Sequence, residues 1–587
     1  MIEQEYLQRI HELEKQIARL QTEIKKNSET QYGLRWMDVP EAFEAEAENA
    51  IPTLEEVPGK AISNDDGKPT HILIEGDNFH ALTCLNYTHK GQIDVIYIDP
   101  PYNTGSDGFV YKDKRVLDKF PDGTTVPTDH PLRHSYWLSF MSKRLKLAKN
   151  LLSDKGVIFI SIDDREVANL RLLCDDIFGE SNFVEAFIWQ SIFRPSNMSK
   201  TIRKNAEYVL FYSSNLELEL VETFQDPQGD ASLTQNNNSV RALLFPSNYV
   251  KIYLPDGIYH KGKYGEIDVL DDIIVEKGTS TNEFRIAGKF KWSQEYLDDE
   301  IQKGVTISIK SKGLIPYYRK DYQKTALRPT KLIPRELVGD VLQSGAEIEQ
   351  IFGTAQFNYP KPTSLIRYLL YLLQYPKDIT ILDFFAGSGT TMHATMQLNE
   401  EDGGHRQCIL VQQNENNICE AVTYERNKRV MQGYTNAKGE AVAGLGNSMK
   451  YYRTAFVGEH KITDITDADK VALTQKAGCL LALGENTLEE IKTAKSYQIF
   501  QLRKGDKPTN DFGYTAVYFS GNLLQFADFR REIEQIQAAN PLTRIAVYVF
   551  TWGDPSVFEN EFDDLSGITI KPIPQPILEI YQNIHQL

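Results

Sequence analysis

The sequence predicts an α/β protein. Its centre is a doubly wound parallel sheet, split by a mostly β insert, with an N-terminal helix before it and a C-terminal α/β segment after it. Three observations predict this. Short apolar runs such as D-V-I-Y-I-D and G-V-I-F-I-S-I-D alternate with helical stretches, the pattern of βαβ units. Two such runs stop at chemically loaded turns, Asp99-Pro100-Pro101-Tyr102 and Asp383-Phe384-Phe385-Ala386-Gly387-Ser388-Gly389. Between them, over about 216–355, the texture changes to short alternating segments rich in turns and aromatics.

In chain order, residues 1–27 read as a helix. Tyr6, Ile10, Leu13, Ile17, Leu20 and Ile24 form a seam spaced by four and three. The seam is short for an autonomous coiled coil, so it packs either on its own chain or on a second copy. With its connector this segment spans 1–48. The first α/β part, 49–215, carries strands at T-H-I-L-I-E-G-D, D-V-I-Y-I-D, G-V-I-F-I-S-I-D and E-Y-V-L-F-Y, and helices near 136–152 and 167–177. The insert, 216–355, includes V-T-I-S-I-K. The α/β texture resumes over 356–455 with I-T-I-L-D-F-F-A-G-S-G-T-T and C-I-L-V-Q-Q, and a last α/β segment, 456–587, holds T-A-V-Y-F-S and R-I-A-V-Y-V-F-T-W.

Bulk properties narrow the field. A chain of 587 residues is too long for one core. No apolar run reaches the length of a membrane span, and M-I-E-Q-E-Y-L is charged and helical rather than a signal peptide. Five scattered cysteines, with no C-x-x-C, argue for a reducing, cytoplasmic setting and against a structural zinc. His80, His130 and His134 lack ligand spacing and are taken as structural; no metal is expected. The net charge of −17 speaks against nonspecific coating of nucleic acid but not against a local basic cleft.

Ligands of open parallel sheets bind beyond the carboxyl ends of the strands. The Gly387-Ser388-Gly389 turn has the form strand, Gly-x-Gly, helix. It lacks the third glycine of a dinucleotide fingerprint and the lysine of a phosphate loop, so an ordinary tight turn is an equal reading. Gly257–Lys263 has the spacing of a nucleotide loop, but Tyr264 stands where a Ser or Thr would bind magnesium, so it reads as coincidence. The other end is more specific. Pro100 and Pro101 cannot continue a strand ladder. Asp99 and the Pro100 carbonyl then offer two acceptors on a rigid turn beside the Tyr102 ring, a combination suited to a planar amine.

D-P-P-Y together with D-x-F-x-G-x-G resembles the amino-methylating DNA methyltransferases that use S-adenosylmethionine. Asp at the first position resembles the adenine-N6 enzymes, and the order of the motifs resembles their β class. Longer strings, among them L-I-E-G-D-N-F-H-A-L, D-H-P-L-R-H-S-Y-W-L-S-F-M, F-N-Y-P-K-P-T-S-L-I and T-Y-E-R-N-K-R-V, resemble the modification subunit of type III restriction–modification systems. The resemblance implies a flipped-out adenine stacked on Tyr102, its N6 hydrogens accepted by Asp99 and Pro100. It implies an S-adenosylmethionine site with Phe385, Gly387 and Gly389 at the methionine end after Asp383, Lys361 near the carboxylate, Asp77 near the adenine, and Gln412 where many such enzymes carry a ribose-binding acid. Lys361 as a surface lysine and Asp77 as a helix N-cap are the plain alternatives.

Residues 303–335 carry nine cations against Asp321 alone, with Tyr317, Tyr318 and Tyr322 interleaved. Lys310, Lys312, Arg319, Lys320, Lys324 and Arg328, with a second cluster of Arg194, Lys200, Arg203 and Lys204, read as a phosphate-binding surface on double-stranded DNA. The insert is the expected target-recognition domain. The resemblance also implies a homodimer and a separate helicase–nuclease restriction subunit. The competing readings are a solitary adenine methyltransferase or one from another defence system, a noncatalytic DNA-recognition subunit, and, least favoured, a dinucleotide oxidoreductase.

Overall fold

Uninterrupted apolar runs make the middle of one ten-stranded sheet. In a parallel sheet both faces are covered, so a strand needs no polar alternation. The strands are β1 (Ile51–Glu56), β2 (Thr70–Glu75), β3 (Ile93–Ile98), β4 (Leu152–Ile162), β5 (Phe183–Trp189), β6 (Glu207–Ser213), β7 (Leu332–Ile333), β8 (Thr380–Asp383), β9 (Gln407–Gln412) and β10 (Ser448–Val457). Their order is β1-β10-β2-β9-β8-β3-β4-β6-β5-β7. The computed structural model describes residues 34, 36–39, 50–104, 119–120, 123–127, 130–195, 201–215, 217–225, 230–320, 325–521, 525–552 and 555–585. The N-terminal seam, Lys200 and Lys324 lie outside the described residues.

From β10 through β2, β9, β8 and β3 to β4 the pairing is parallel. The crossovers use α1 (Asn78–Thr88), α2 (Ser135–Leu151), α3 (Val167–Phe178), α4 (Thr363–Leu372), α5 (Thr390–Asp402) and α6 (Glu425–Gln432). Ile96 and Ile98 of β3 are fully buried, each stabilising by about 1.5–3 kcal/mol. One part of the sequence reading is corrected. E-Y-V-L-F-Y, read as one more parallel strand, is β6 and runs antiparallel to both β4 and β5. The described residues of the β5–β6 connection, 190–195 and 201–206, carry no crossover helix, in keeping with a strand that returns antiparallel beside β5. As a result the first residue of β6, Glu207, lies at the carboxyl edge of the parallel strands.

The described residues form two compact units. The first comprises those up to Leu218, 331–370 and from Tyr375 on; the second comprises 219–330 and 371–374. Residues 331–355, read from sequence as part of the insert, therefore belong to the unit of the main sheet, where β7 pairs with β5. The segment after 455 is not a separate compact unit either. Its five-stranded sheet (Glu489–Thr493, Tyr497–Gln501, Tyr514–Tyr518, Ile545–Phe550, Ile568–Ile573) contributes Val517, Ala546 and Ile573 to the core that holds Ile72 and Ile96.

The second unit holds sheets of seven and four strands around Leu243, Phe245, Phe284, Ile286 and Ile307. Gly257–Tyr259 and Gly262–Tyr264 are short strands in it, so the phosphate-loop spacing there precedes no helix. No described helix is long and apolar enough to cross a membrane.

Candidate active site

β3 and β8 are hydrogen-bonded neighbours, so the two loaded turns leave the sheet side by side. The first turn is pinned at both ends. The indole Nε1 of Trp137, fully buried on α2, donates to the Pro101 carbonyl at 2.7 Å. Asn103 takes the left-handed conformation (φ 59°), and its amide donates to Glu166 Oε1 at 2.7 Å. Glu166 is buried and also holds Asn169 at 2.8 Å and His134 at 2.6 Å. The hydrogen bond to Glu166 raises His134 above its ordinary value, against burial.

Asp99, at the tip of β3, sits in a four-residue network. Lys361 Nζ donates to Asp99 Oδ1 at 2.9 Å and Oδ2 at 2.8 Å, and lies 3.5 Å from Glu207 Oε2. The Tyr102 hydroxyl lies 2.8 Å from Asp99 Oδ1 and 3.0 Å from Glu207 Oε2. Lys361 is buried, two residues before α4, which corrects the plain reading of a surface lysine. Its burial disfavours the ammonium, yet Asp99 and Glu207 more than offset this and raise it above an ordinary lysine. Burial first, then Asp99 and Glu207, push the Tyr102 phenol well above its usual value, so it stays a donor.

The second turn is built around Asp383. This buried carboxyl accepts from the Thr391 hydroxyl at 2.6 Å and the Phe385 N–H at 3.0 Å, and burial pushes it up to about 7. Gly387 and Gly389 are both left-handed (φ 51° and 76°). The Gly387 N–H donates to Gln412 Oε1 at 2.7 Å, so the amide at the tip of β9 braces the turn. Arg426 of α6, fully buried, donates to Ser388 Oγ at 2.9 Å and Thr390 Oγ1 at 2.8 Å from behind. Burial lowers its guanidinium to about 10.

Two clefts meet at Asp99. One is lined by Asp77, Asp99, Lys361, Asp383, Phe385, Gly387 and Gln412, all singled out from the sequence, and further by Phe140, Phe357 and Glu415. Gly389 does not line it; a Cβ there would collide with Asn427 and crowd Thr423, which explains the missing side chain without a ligand. Asp77 does cap α1, accepting from the Phe79 N–H at 2.8 Å, and pairs with buried Arg144 at 3.2 Å. The other cleft is lined by Asp99, Pro100, Tyr102, Asp163, Asp164, Ser191, Asn205 and Glu207. Asp99, Lys361 and Tyr359 line both and form the partition.

The basic residues are less free than their charge run implies. Within the second unit Lys310 pairs with Asp230 at 2.7 Å, Arg319 lies 3.7 Å from the same carboxylate, Lys320 pairs with Glu300 at 2.8 Å, and Arg328 with Glu219 at 3.2 Å. Lys312 is exposed. In the first unit Lys204 pairs with Asp164 at 2.9 Å beside the second cleft, while Arg203 is exposed and Arg194 lies over the Phe193 ring. His80 packs edge-on to Phe456, and His130 caps the turn at Leu132. No group of three metal-ligating side chains occurs among the described residues. Sequence reasoning missed Glu207, Trp137 and Arg426. Each stood in a quoted string, but nothing local marked Glu207 as more than the start of an apolar strand.

A family model described as DNA methylase, covering N6 and N4 methyltransferases, matches residues 93–434. Among curated proteins, the chain is similar to the Mod subunit of the type III restriction-modification enzyme StyLTI of Salmonella typhimurium. The two are 35% identical over 59% of this chain and 53% of that protein. The EcoP15I Mod subunit of Escherichia coli is 30% identical, over 59% and 58%. The chain thus spans a little over half the length of these Mod subunits. The type II methyltransferase M.KpnI of Klebsiella pneumoniae is 29% identical over 68% of this chain and 93% of its own length. Among solved structures, PvuII DNA methyltransferase (cytosine-N4-specific) is 12% identical over 65% of this chain and 97% of that one. Its TM-score of 0.29 is too low to carry weight.

Proposed function

The chain belongs to the N6/N4 DNA methylase family, and from that premise we propose that it methylates N6 of a flipped-out adenine in double-stranded DNA, as the modification and recognition subunit of a type III restriction–modification system. One observation carries the reading: the acceptor-bearing Asp99 turn and the Gly-rich turn leave adjacent strands, and Asp99 stands in the wall between two clefts.

The first cleft fits S-adenosylmethionine. Phe140, Phe357 and Phe385 supply aromatic walls, Asp77, Asp383 and Glu415 supply acceptors, and the turn is kept bare at Gly387, where a Cβ would crowd the Phe357 ring at 3.3 Å. S-adenosylmethionine supplies an electrophilic methyl group when bound. The protein's part is positioning and polarisation. In the second cleft Tyr102 offers its ring to the base. The Asp99 carboxylate and the Pro100 carbonyl accept the two N6 hydrogens, which draws the nitrogen lone pair out of the ring and aims it across the partition. Trp137 and the Asn103–Glu166 pair hold that turn still while this happens. The acid in place of serine at the head of D-P-P-Y supports adenine over cytosine.

The β-rich second unit is the target-recognition domain in this reading. Exposed Lys312, and Arg328 whose pair with Glu219 is exposed on both sides and exchanges at little cost, would be its readiest phosphate contacts, whereas Lys310 and Lys320 hold carboxylates that are themselves largely buried. The long strings shared with type III Mod subunits support a restriction subunit as partner and a dimer as the working form. A second reading rests on the M.KpnI match, which covers nearly all of that relative: a methyltransferase that works without a restriction partner.

Purified chain incubated with duplex DNA and S-adenosylmethionine carrying a tritiated methyl group tests the reading. Transfer of label to DNA, recovered as N6-methyladenine in the hydrolysate, is expected. Label in cytosine, or none from folded, cofactor-binding protein, overturns it. Affinity capture from the native cell separates the two assemblies, since only the first retains a helicase–nuclease.

A further inference from the structure

The Asp99 network holds a competition that the chemistry has to resolve. Both carboxylate oxygens of Asp99 are occupied: Oδ1 by Lys361 at 2.9 Å and by the Tyr102 hydroxyl at 2.8 Å, Oδ2 by Lys361 at 2.8 Å. These three hydrogen bonds fill all but about one of the carboxylate's four lone-pair sites, so the amino group of a base competes with them for Asp99. Lys361 cannot simply withdraw to water, because its side chain is only 8% exposed. A buried ammonium separated from its carboxylate is strongly disfavoured.

Glu207 offers the way out. It reaches the carboxyl edge because β6 runs antiparallel to β4. Its Oε2 lies 3.5 Å from Lys361 Nζ and 3.0 Å from the Tyr102 hydroxyl, the same two donors that Asp99 engages. Two carboxylates therefore share one ammonium and one phenol, leaving a net charge of −1. A shift of Nζ by about 0.7 Å brings it to an ordinary charged hydrogen bond on Glu207. That shift keeps the ammonium compensated and clears acceptor capacity on Asp99.

We propose that Lys361 is an internal occupant of the amine seat on Asp99, and that Glu207 is the positioning residue that takes Lys361 and the Tyr102 hydroxyl over when the target base arrives. This rests on the adenine-methylation reading above and adds the device by which the seat is kept filled and then emptied. Lys361 stands in for the amino group in the free enzyme. Glu207 acts through Lys361 and Tyr102 and does not itself touch the base.

The test is a double-mutant comparison on the full chain. The probe is a duplex bearing the methylated motif, mapped by sequencing, with the target adenine intact and 2-aminopurine as its neighbour on the same strand; its fluorescence rises when the target adenine leaves the stack. Glu207→Gln is expected to weaken seating of the base about tenfold, raising KM for DNA more than it lowers kcat, with S-adenosylmethionine affinity within twofold of wild type. Glu207→Asp is expected to restore part of the loss. In Glu207→Gln/Lys361→Met, with the plug removed, the fluorescence signal is expected to recover above that of Glu207→Gln alone. If the double variant seats the base as poorly as the single one, or if Glu207→Gln behaves as wild type, the proposal is overturned while the methylation reading stands. A wild-type chain that methylates no adenine overturns both. Circular dichroism and cofactor binding of each variant identify any that fail to fold, and Glu207→Asp then carries the comparison.

Discussion

The helix α5 is bounded by two left-handed glycines that differ in one respect. Gly389 at its N-terminus has φ 76°, and Gly403 at its C-terminus has φ 67°. A Cβ on Gly403 would meet nothing within 4 Å, whereas one on Gly389 would overlap the Asn427 amide nitrogen and lie 3.1 Å from the Thr423 carbonyl oxygen. Alanine at either site meets the same left-handed strain, about 1–2 kcal/mol. At Gly389 it also displaces buried Asn427, whose amide donates to Thr423 O at 2.8 Å and Gly389 O at 3.3 Å. Each lost bond costs about 1 kcal/mol. Gly403→Ala is therefore expected to cost about 1–2 kcal/mol and Gly389→Ala about 3–4 kcal/mol. Urea unfolding followed by tryptophan fluorescence reads the difference. Calorimetric binding of S-adenosylmethionine is expected to weaken only in Gly389→Ala, because Ser388 and Thr390 on either side of it line the cleft. Equal destabilisation by the two alanines would refute the packing explanation.

Asp383 gives a pH signature. Its carboxyl keeps its proton to about pH 7 in the fold but loses it near 3.8 in the unfolded chain, so the unfolded state binds fewer protons between those values. Stability should therefore fall as pH rises from about 4 to 7, by up to roughly 4 kcal/mol, and Asp383→Asn should flatten the slope in unfolding midpoints. Trp137→Phe removes the donor to Pro101, leaving a buried carbonyl unpaired at a cost of about 1–3 kcal/mol. It should lower kcat about tenfold with cofactor affinity unchanged, as steady-state kinetics will show. Arg426→Met strips Ser388 and Thr390 of their buried donor and should destabilise by about 2–4 kcal/mol while weakening S-adenosylmethionine binding, read by calorimetry.

The strand ends were legible because buried parallel strands announce themselves as apolar runs, and because proline and glycine mark where they stop. That was enough to single out Asp99 and Asp383 and the two turns that border the first cleft. What stayed hidden depends on contacts between distant segments. Lys361 and Asp99 are 262 residues apart, and no spacing rule links them. Glu207 became visible only once β6 was seen to run antiparallel. The charge run at 303–335 misled in part, since Asp230 and Glu300, which pair with Lys310 and Lys320, lie outside it or in a different element. Gly389 was read as a ligand contact, whereas its conformation and the packing of Asn427 account for it.

The central claim is that the Asp99-Pro100-Pro101-Tyr102 turn delivers an adenine amino group to a methyl donor held by the neighbouring turn. Base-resolved sequencing of DNA from a methylation-free host expressing the chain tests this most directly, beside Asp99→Ala and Tyr102→Ala variants that still fold and bind S-adenosylmethionine. N6-methyladenine confined to one short motif, and absent with either variant, is the predicted result. N4-methylcytosine, or adenine methylation that survives Asp99→Ala, would contradict it.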